Sequence, residues 1–235
     1  MKPALLPAGL RGERRFRWRG GEVSRLEALS DAVFALSLTL LVVALEVPRT
    51  SGELIHLFWQ FPAFGICFAF ILWVWYEHYL YHRRYGFEDA STVALNGLLL
   101  FFVVFYVYPL KFLAAALITE PVSGLDMVAF GERGMAVMLL YSGGFVGIFS
   151  VMSLMYGRAW RLRDQLELNA AEREATLGSL RSQLLSVSIG VVSLIAVLTL
   201  PQRPALSGLV YFLMGPLHGL NGWWTGKRVA EKGDR

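Results

Sequence analysis

Residues 25–47 read RLEALSDAVFALSLTLLVVALEV. The run is apolar and membrane-length, but Arg25, Ser30 and Asp31 are packed into its first two turns. Hydrocarbon tolerates such groups poorly, so they must face protein or water and are functional candidates by default. After Asp31 the residues stay apolar or small until Glu46. The helix therefore has a polar, hydrogen-bonding base and a long apolar shaft. Such a shaft either packs in a bundle or lines a narrow pore.

The rest of the chain sets the same theme. It has 235 residues, 55% of them hydrophobic and only 17% charged, with a mean hydropathy of +0.50. A soluble domain carries about a quarter charged residues. Here the charges cluster between long apolar runs, the pattern of an all-α, polytopic membrane protein. The lone Cys67 excludes an intrachain disulfide and a multi-cysteine metal site, and reads as a small core hydrophobe. No cleavable signal is expected, because the first apolar span follows a basic arm and is too long for a signal core. The net charge of +4 does not point to nucleic acid, since the basic residues flank hydrophobic segments.

Six segments are long enough to cross a bilayer, roughly 24–47, 56–82, 91–118, 134–158, 180–200 and 205–225. They define a basic arm (1–23), a six-helix membrane domain (24–225) and a short tail (226–235). The charged stretch 159–179 reads as a solvated helical extension. Eighteen of the 22 Lys and Arg fall on one side of this layout; only Arg49, Arg133 and Arg203 fall on the other. The positive-inside rule then places both termini in the cytoplasm, at the plasma membrane. Lys111 belongs to neither group and either snorkels to the outer interface or pairs inside the bundle. The seven Trp lie mostly near span ends, as an interfacial belt does.

On a helical wheel Leu36, Leu40, Val43 and Val47 share one face, with Thr39 at its edge. From periodicity alone this is a lipid-facing or packing stripe. A carboxylate as deep as Asp31 needs donors. Arg25, His78, His82, Trp73, Trp75 and Asn96 are available, and His78, His82 and Asn96 fall at its depth. A hydrogen-bonded clasp of the first three helices is the economical account, built on Arg25, Ser30, Asp31, His78 and Asn96.

Arg25, Ser30 and Asp31 resemble the Arg-x-x-x-Phe-Ser-Asp signature of the transmembrane protein 175 family of potassium channels. Trp75-Tyr76-Glu77-His78 resembles the Trp-x-x-His element of its second helix, and Asn96 its third-helix Asn. Leu29 stands where the family has Phe. The resemblance implies one six-helix unit per chain, a homotetramer, and a central pore lined by the first helices without a filter of backbone carbonyls. Carried over by distance from Asp31, the constriction is Leu36, with Leu40 and Val43 further outward, and Thr39 offers a hydroxyl to the passing ion. The expected cargo is potassium among monovalent cations, with no cofactor and only membrane lipid and copies of the chain as partners.

Several residues invite other readings. Glu77, His78 and His82 form an E-H-x-x-x-H run, but third and fourth metal ligands are not evident. Glu46 either forms an acidic ring at the outer mouth or is a solvated interface carboxylate. No nucleophile–base pair supports an enzyme, and no span carries an Arg ladder for sensing voltage. A secondary transporter is disfavoured by intact shafts and sparse mid-membrane charge. A non-conducting scaffold is the other rival.

Overall fold

The computed structural model describes residues 16–43, 50–119, 134–201 and 205–233; the side chains at 42, 43, 53, 56, 57, 59, 60, 63, 111–119 and 205 lie outside the description. Every regular element among the described residues is helical: α1 (Arg25–Val43), α2 (Ser51–Tyr85), α3 (Ala90–Thr119), α4 (Gly134–Arg161), α5 (Ala170–Thr199), the short α6 (Ala205–Gly208) and α7 (Met214–Gly233). A 3-10 turn, Leu209–Leu213, joins α6 to α7. By length and composition, Ala90–Leu110, Gly134–Arg161 and Ala170–Thr199 can cross a membrane. The 35 residues of α2 extend about 50 Å at 1.5 Å per residue, well beyond a hydrocarbon core of about 30 Å. Its last turn carries His82, Arg83 and Arg84, which belong at an interface.

The bundle is built around α3, α4, α5 and α7, with α1 and α2 docked on α3 and on each other. Its centre is aromatic. Phe70 of α2 meets Tyr106, Phe145 and Phe149 at ring separations of 5.5, 5.9 and 6.2 Å. Trp73, on the next turn, packs on Phe149 at 5.3 Å. Trp73 is therefore a core residue rather than part of an interfacial belt. Polar links stitch the same helices: Ser142 and Ser193 share a 2.9 Å hydrogen bond, and Ser193 donates to the Ser207 carbonyl at 3.1 Å. Such links are how helices recognise one another where hydrophobicity gives no contrast. Cys67 is buried and its thiol donates to the Leu110 carbonyl.

The segment 159–179 departs from the expected helical extension. α4 stops at Arg161, a turn follows with Glu167 in the left-handed region at φ 50°, and α5 starts afresh at Ala170. The cause is local. Asn169 accepts from the Glu172 N–H, while the Glu172 carboxylate accepts from the Asn169 N–H, closing a capping box. Nor is this stretch a solvated face, because Glu172 and Glu174 are both buried.

Glu172 also fastens the segment that leads into α1. Its carboxylate accepts from the Arg17 backbone N–H at 2.8 Å and from the Arg19 guanidinium at 2.8 and 3.2 Å. Arg19 N–H and Gly20 N–H both donate to the Arg83 carbonyl at 3.1 Å. Gly86 turns with φ +63° directly beneath Arg19, where a Cβ would stand 3.0 Å from the Arg19 carbonyl oxygen. Residues 16–20 thus form a strap across the C-terminal end of α2 and the N-terminal end of α5. Burial alone would raise the pKa of Glu172, but Arg19 and the N–H groups of Asn169 and Arg17 outweigh it and hold the carboxyl below the usual carboxylate range.

Two outcomes follow for stability. The depressed pKa of Glu172 contributes stability that is complete above the ordinary value of 4.5 and is lost as pH falls through the folded value. Thermal unfolding in detergent between pH 7 and pH 3 should show this acid loss, and Glu172→Gln should flatten it. A Cβ at Gly190 would stand 2.6 Å from Val146 Cγ2 and 3.0 Å from Phe145 Cδ1, across the α4–α5 contact. Gly190→Ala should cost about 1–3 kcal/mol by overpacking. Gly219→Ala, where the added atom meets nothing within 4 Å, should leave the melting temperature close to the parent's. Equal melting of the two variants would refute the close approach.

Candidate functional site on the first helix

One side of α1 is held and the other is open. Ser30, Phe34, Ser37 and Leu41 recur every three or four residues and are at most 2% exposed. Leu29 and Leu36 are 56% and 53% exposed, and Ala32 and Thr39 are exposed beside them. The open positions 29, 32, 36 and 39 alternate in steps of three and four. That is the spacing of a seam along which identical helices meet. Val43 is the next position in this series, though its side chain lies outside the described residues. Leu40 turns from this face: it is half-buried and packs against the core, as does Leu38. The stripe Leu36, Leu40, Val43 read from the sequence is thus rotated toward Leu29, Ala32, Leu36 and Thr39. Glu46 lies outside the described residues.

The held side is fixed by one buried amide. Asn96 of α3 donates to Ser30 Oγ at 2.9 Å, and its carbonyl oxygen lies 2.7 Å from His78 Nε2 of α2. Ser30 also donates to the Leu26 carbonyl at 2.8 Å. All three residues are at most 1% exposed, so water cannot replace a lost partner. Three helices are joined at one amide group.

Asp31 does not join them. It is exposed on the edge of the open face and accepts from Trp75 Nε1 at 2.8 Å. Arg25 is exposed in the first turn of α1, with no partner among the described residues. The clasp inferred from the sequence therefore divides in two: Ser30–Asn96–His78 inside and Asp31–Trp75 at the edge. The reason is helical phase, since Ser30 and Asp31 are consecutive and project about 100° apart. Trp75 and His78, three apart on α2, both face α1.

A third contact at this level was invisible in the sequence. Glu27, 8% exposed, accepts from Arg83 Nη2 at 2.7 Å, and Arg83 Nη1 donates to the Gly21 carbonyl at 2.9 Å. The partners are 56 positions apart and share no local signal. Glu77 turns away from the His pair: Gln183 donates to its carboxylate at 2.9 Å and Tyr156 to its carbonyl at 3.1 Å. His82 rests against His78 at a ring separation of 4.4 Å. Among the described residues no three His, Cys, Asp or Glu are grouped to hold a metal.

On the open face the Thr39 hydroxyl donates to the Ala35 carbonyl at 2.8 Å. Its proton is thus committed to the helix and its oxygen lone pairs are left outward.

An all-helical membrane bundle with a polar-based, one-sided first helix is the class of protein this architecture defines. Residues 25–106 match the family described as endosomal/lysosomal potassium channel TMEM175. A potassium channel of Marivirga tractuosa is 39% identical over 227 residues, covering 91% of this chain and 92% of the relative. A potassium channel of Chamaesiphon minutus is 31% identical over 163 residues, covering 65% and 72%. A crystal structure of the potassium channel MtTMEM175, a threonine-to-alanine variant bound to a nanobody–MBP fusion, superposes with a TM-score of 0.76 at 38% identity, covering 92% of this chain and 98% of that one. The chain belongs to the TMEM175 family.

Removing the bridging amide tests the inner clasp. Asn96→Ala strands Ser30 Oγ and His78 Nε2 in a dry interior and should cost about 1–3 kcal/mol. Asp31→Ala, at an exposed edge, should cost less. Thermal melts of the two variants in one detergent check the order, and an Asp31→Ala loss as large as that of Asn96→Ala would overturn it.

Proposed function

We propose that the protein is a potassium channel of the plasma membrane, a homotetramer in which the open face of α1 from each copy lines a central pore. The single observation that carries this reading is the one-sided exposure of α1. A helix held by a buried amide on one side leaves Leu29, Ala32, Leu36 and Thr39 uncovered in steps of three and four. Such a face needs either lipid or copies of itself. Exposed Asp31 on its margin suits lipid poorly and suits a water-filled axis well. Family membership, and relatives named as potassium channels, support the same cargo.

On this reading six helices cross the bilayer and both termini are cytoplasmic, as the charge asymmetry favours. Leu36 forms the narrowest ring. Four Leu side chains converging on an axis exclude water and gate by dewetting. Potassium sheds its hydration shell more readily than sodium, so a dehydrating ring favours potassium modestly. Thr39 lies three residues outward, about 4.5 Å along the axis. Its hydroxyl oxygen, with the proton already donated to Ala35, can replace part of the lost shell. Val43, and Leu40 at the flank, continue the apolar wall, and Glu46 draws cations to the outer mouth. No cofactor is needed, because permeation breaks no covalent bond.

Planar bilayer recording of purified protein in asymmetric potassium and sodium tests the proposal. Discrete single-channel steps with a potassium-directed reversal potential are expected. Saturable flux without steps would favour a transporter, and no conductance a scaffold. Leu36→Ala should raise the conductance and lower potassium preference, whereas Leu38→Ala should chiefly lower thermal stability. Thr39→Val should move the reversal potential toward zero. Higher conductance in Leu38→Ala with none in Leu36→Ala would place a different face on the axis.

A further inference from the structure

Arg83, in the last turn of α2, grips the entry of α1 with both its main chain and its side chain. Its carbonyl accepts from the Arg19 and Gly20 N–H groups at 3.1 Å. Its Nη1 donates to the Gly21 carbonyl at 2.9 Å and its Nη2 to the Glu27 carboxylate at 2.7 Å. The guanidinium also lies over the Tyr79 ring at 5.8 Å. One residue therefore holds the strap, the joint after it and the first turn of α1.

The joint is two glycines. A Cβ at Gly20 would stand 2.7 Å from the His82 carbonyl oxygen, so this position lies directly on the end of α2. A Cβ at Gly21 would meet nothing within 4 Å. One glycine is pinned and the next has room to turn. Upstream the strap cannot follow α1, because every N–H of the Arg19 guanidinium is spent. Nε donates to the Leu166 carbonyl, Nη1 to the Arg17 carbonyl and Glu172, and Nη2 to the Glu167 carbonyl and Glu172. Downstream, Ser24 Oγ accepts from the Glu27 N–H at 3.1 Å, which fixes Glu27 in the helix.

Glu27 and Ser30 lie on the held side of α1, three residues or about 4.5 Å apart along its axis. Leu36 is six residues past Ser30, about 9 Å. With Ser30 as fulcrum on Asn96, a shift of the base by about 1 Å becomes about 2 Å at Leu36. The Asn96 amide fixes the rotation of α1, but a single fixed point leaves its tilt open. Glu27 is the second point. Apolar side chains there would pack at several tilts, whereas the planar fork of Arg83 meets a carbonyl and a carboxylate together in one.

We propose that Arg83 is a positioning residue for permeation: acting through Glu27 and the Gly21 joint, it sets the tilt of α1 and thereby the width of the Leu36 ring. The effect on ions rests on the pore reading above; the hold on α1 does not.

Two measurements on the purified full chain separate these. Hydrogen–deuterium exchange in detergent reads the hold on α1. Amides 28–33 should exchange at least tenfold faster in Arg83→Gln, with α4 and α5 unchanged. The reversal potential in asymmetric potassium and sodium reads the ring and should move toward zero, because a ring of variable width demands less dehydration. Arg83→Lys keeps the charge without the fork and should fall between. Glu27→Gln leaves the Arg83 carbonyl on the strap and should shift both readouts in the same direction; it carries the test if Arg83→Gln fails to fold. Arg173→Gln, which breaks the exposed 2.7 Å pair with Asp164, should move neither. Parental exchange at 28–33 in the folded variants, even with a lower melting temperature, would overturn the positioning role. Faster exchange with a parental reversal potential would overturn the link to the ring. If the parent passes no current, the channel reading fails, and exchange alone still judges the hold of Arg83 on α1.

Discussion

The hydrogen bonds of the Asn96 amide fix the rotation of α1, and the rest of the site depends on that rotation. The amide is shared by Ser30 of α1 and His78 of α2 in an interior where no water can substitute. In water such bonds contribute about 1 kcal/mol net, because solvent competes for the same groups. In a dry bundle the alternative is a stranded donor or acceptor, so the bonds select one pose among many of similar apolar packing. A helix turns about 100° per residue. A slip of one position would bring Ala35 to the place of Leu36 on the open face and turn the leucine into the buried place of Ser37. The apolar shaft cannot prevent that slip by itself, since Leu, Val and Phe pack acceptably in several phases.

The pose is reinforced at the base by charge. Glu27–Arg83 and Arg19–Glu172 are both largely shielded, with side-chain exposures of 10%, 11%, 11% and 1%. Pairs of this kind stabilise little relative to an apolar replacement, but losing one partner leaves a buried charge behind. Their effect is therefore specificity of connection. The strap at residues 16–20 ties the entry of α1 to the start of α5 and the end of α2. Polar contacts concentrate at this end and aromatic packing fills the middle, so α1 is anchored at its base by polar bonds while its shaft is held by the packing of Phe34 and Leu41, flanked by Leu38 and Leu40.

The helical class and the depth of the polar groups were legible in the sequence, because apolar run length and charge position are local properties. The meeting of Ser30, His78 and Asn96 was legible from depth alone. What failed was rotation. Ideal periodicity puts Leu40 on the stripe with Leu36, yet Leu40 is half-buried and packs against the core. Asp31 was grouped with Ser30 because they are adjacent, although adjacency separates their directions. The break near Glu167 is hidden by a charge density that suits a continuous helix, although Asn169 and Glu172 have the spacing of a capping box. Glycines show the limit most clearly. Gly190 is there because α4 lies against it, whereas Gly222 faces open space, and nothing in the neighbouring letters distinguishes the two cases.

A pore of this design would separate ions by a different balance from a carbonyl filter. Carbonyl cages replace a hydration shell almost completely, so they can reject a smaller ion strongly. An apolar ring replaces nothing and merely sets a toll of dehydration, which discriminates only by the difference in hydration strength. On the proposed reading Thr39 would shift that balance slightly. Its hydroxyl proton is spent on Ala35, so its oxygen acts as an acceptor only, which suits a cation and not an anion. The hydroxyl position is set by the helix backbone, not by a flexible loop. Selectivity then depends on how rigidly α1 is held, which returns the burden to the buried amide of Asn96, some two to three helical turns below.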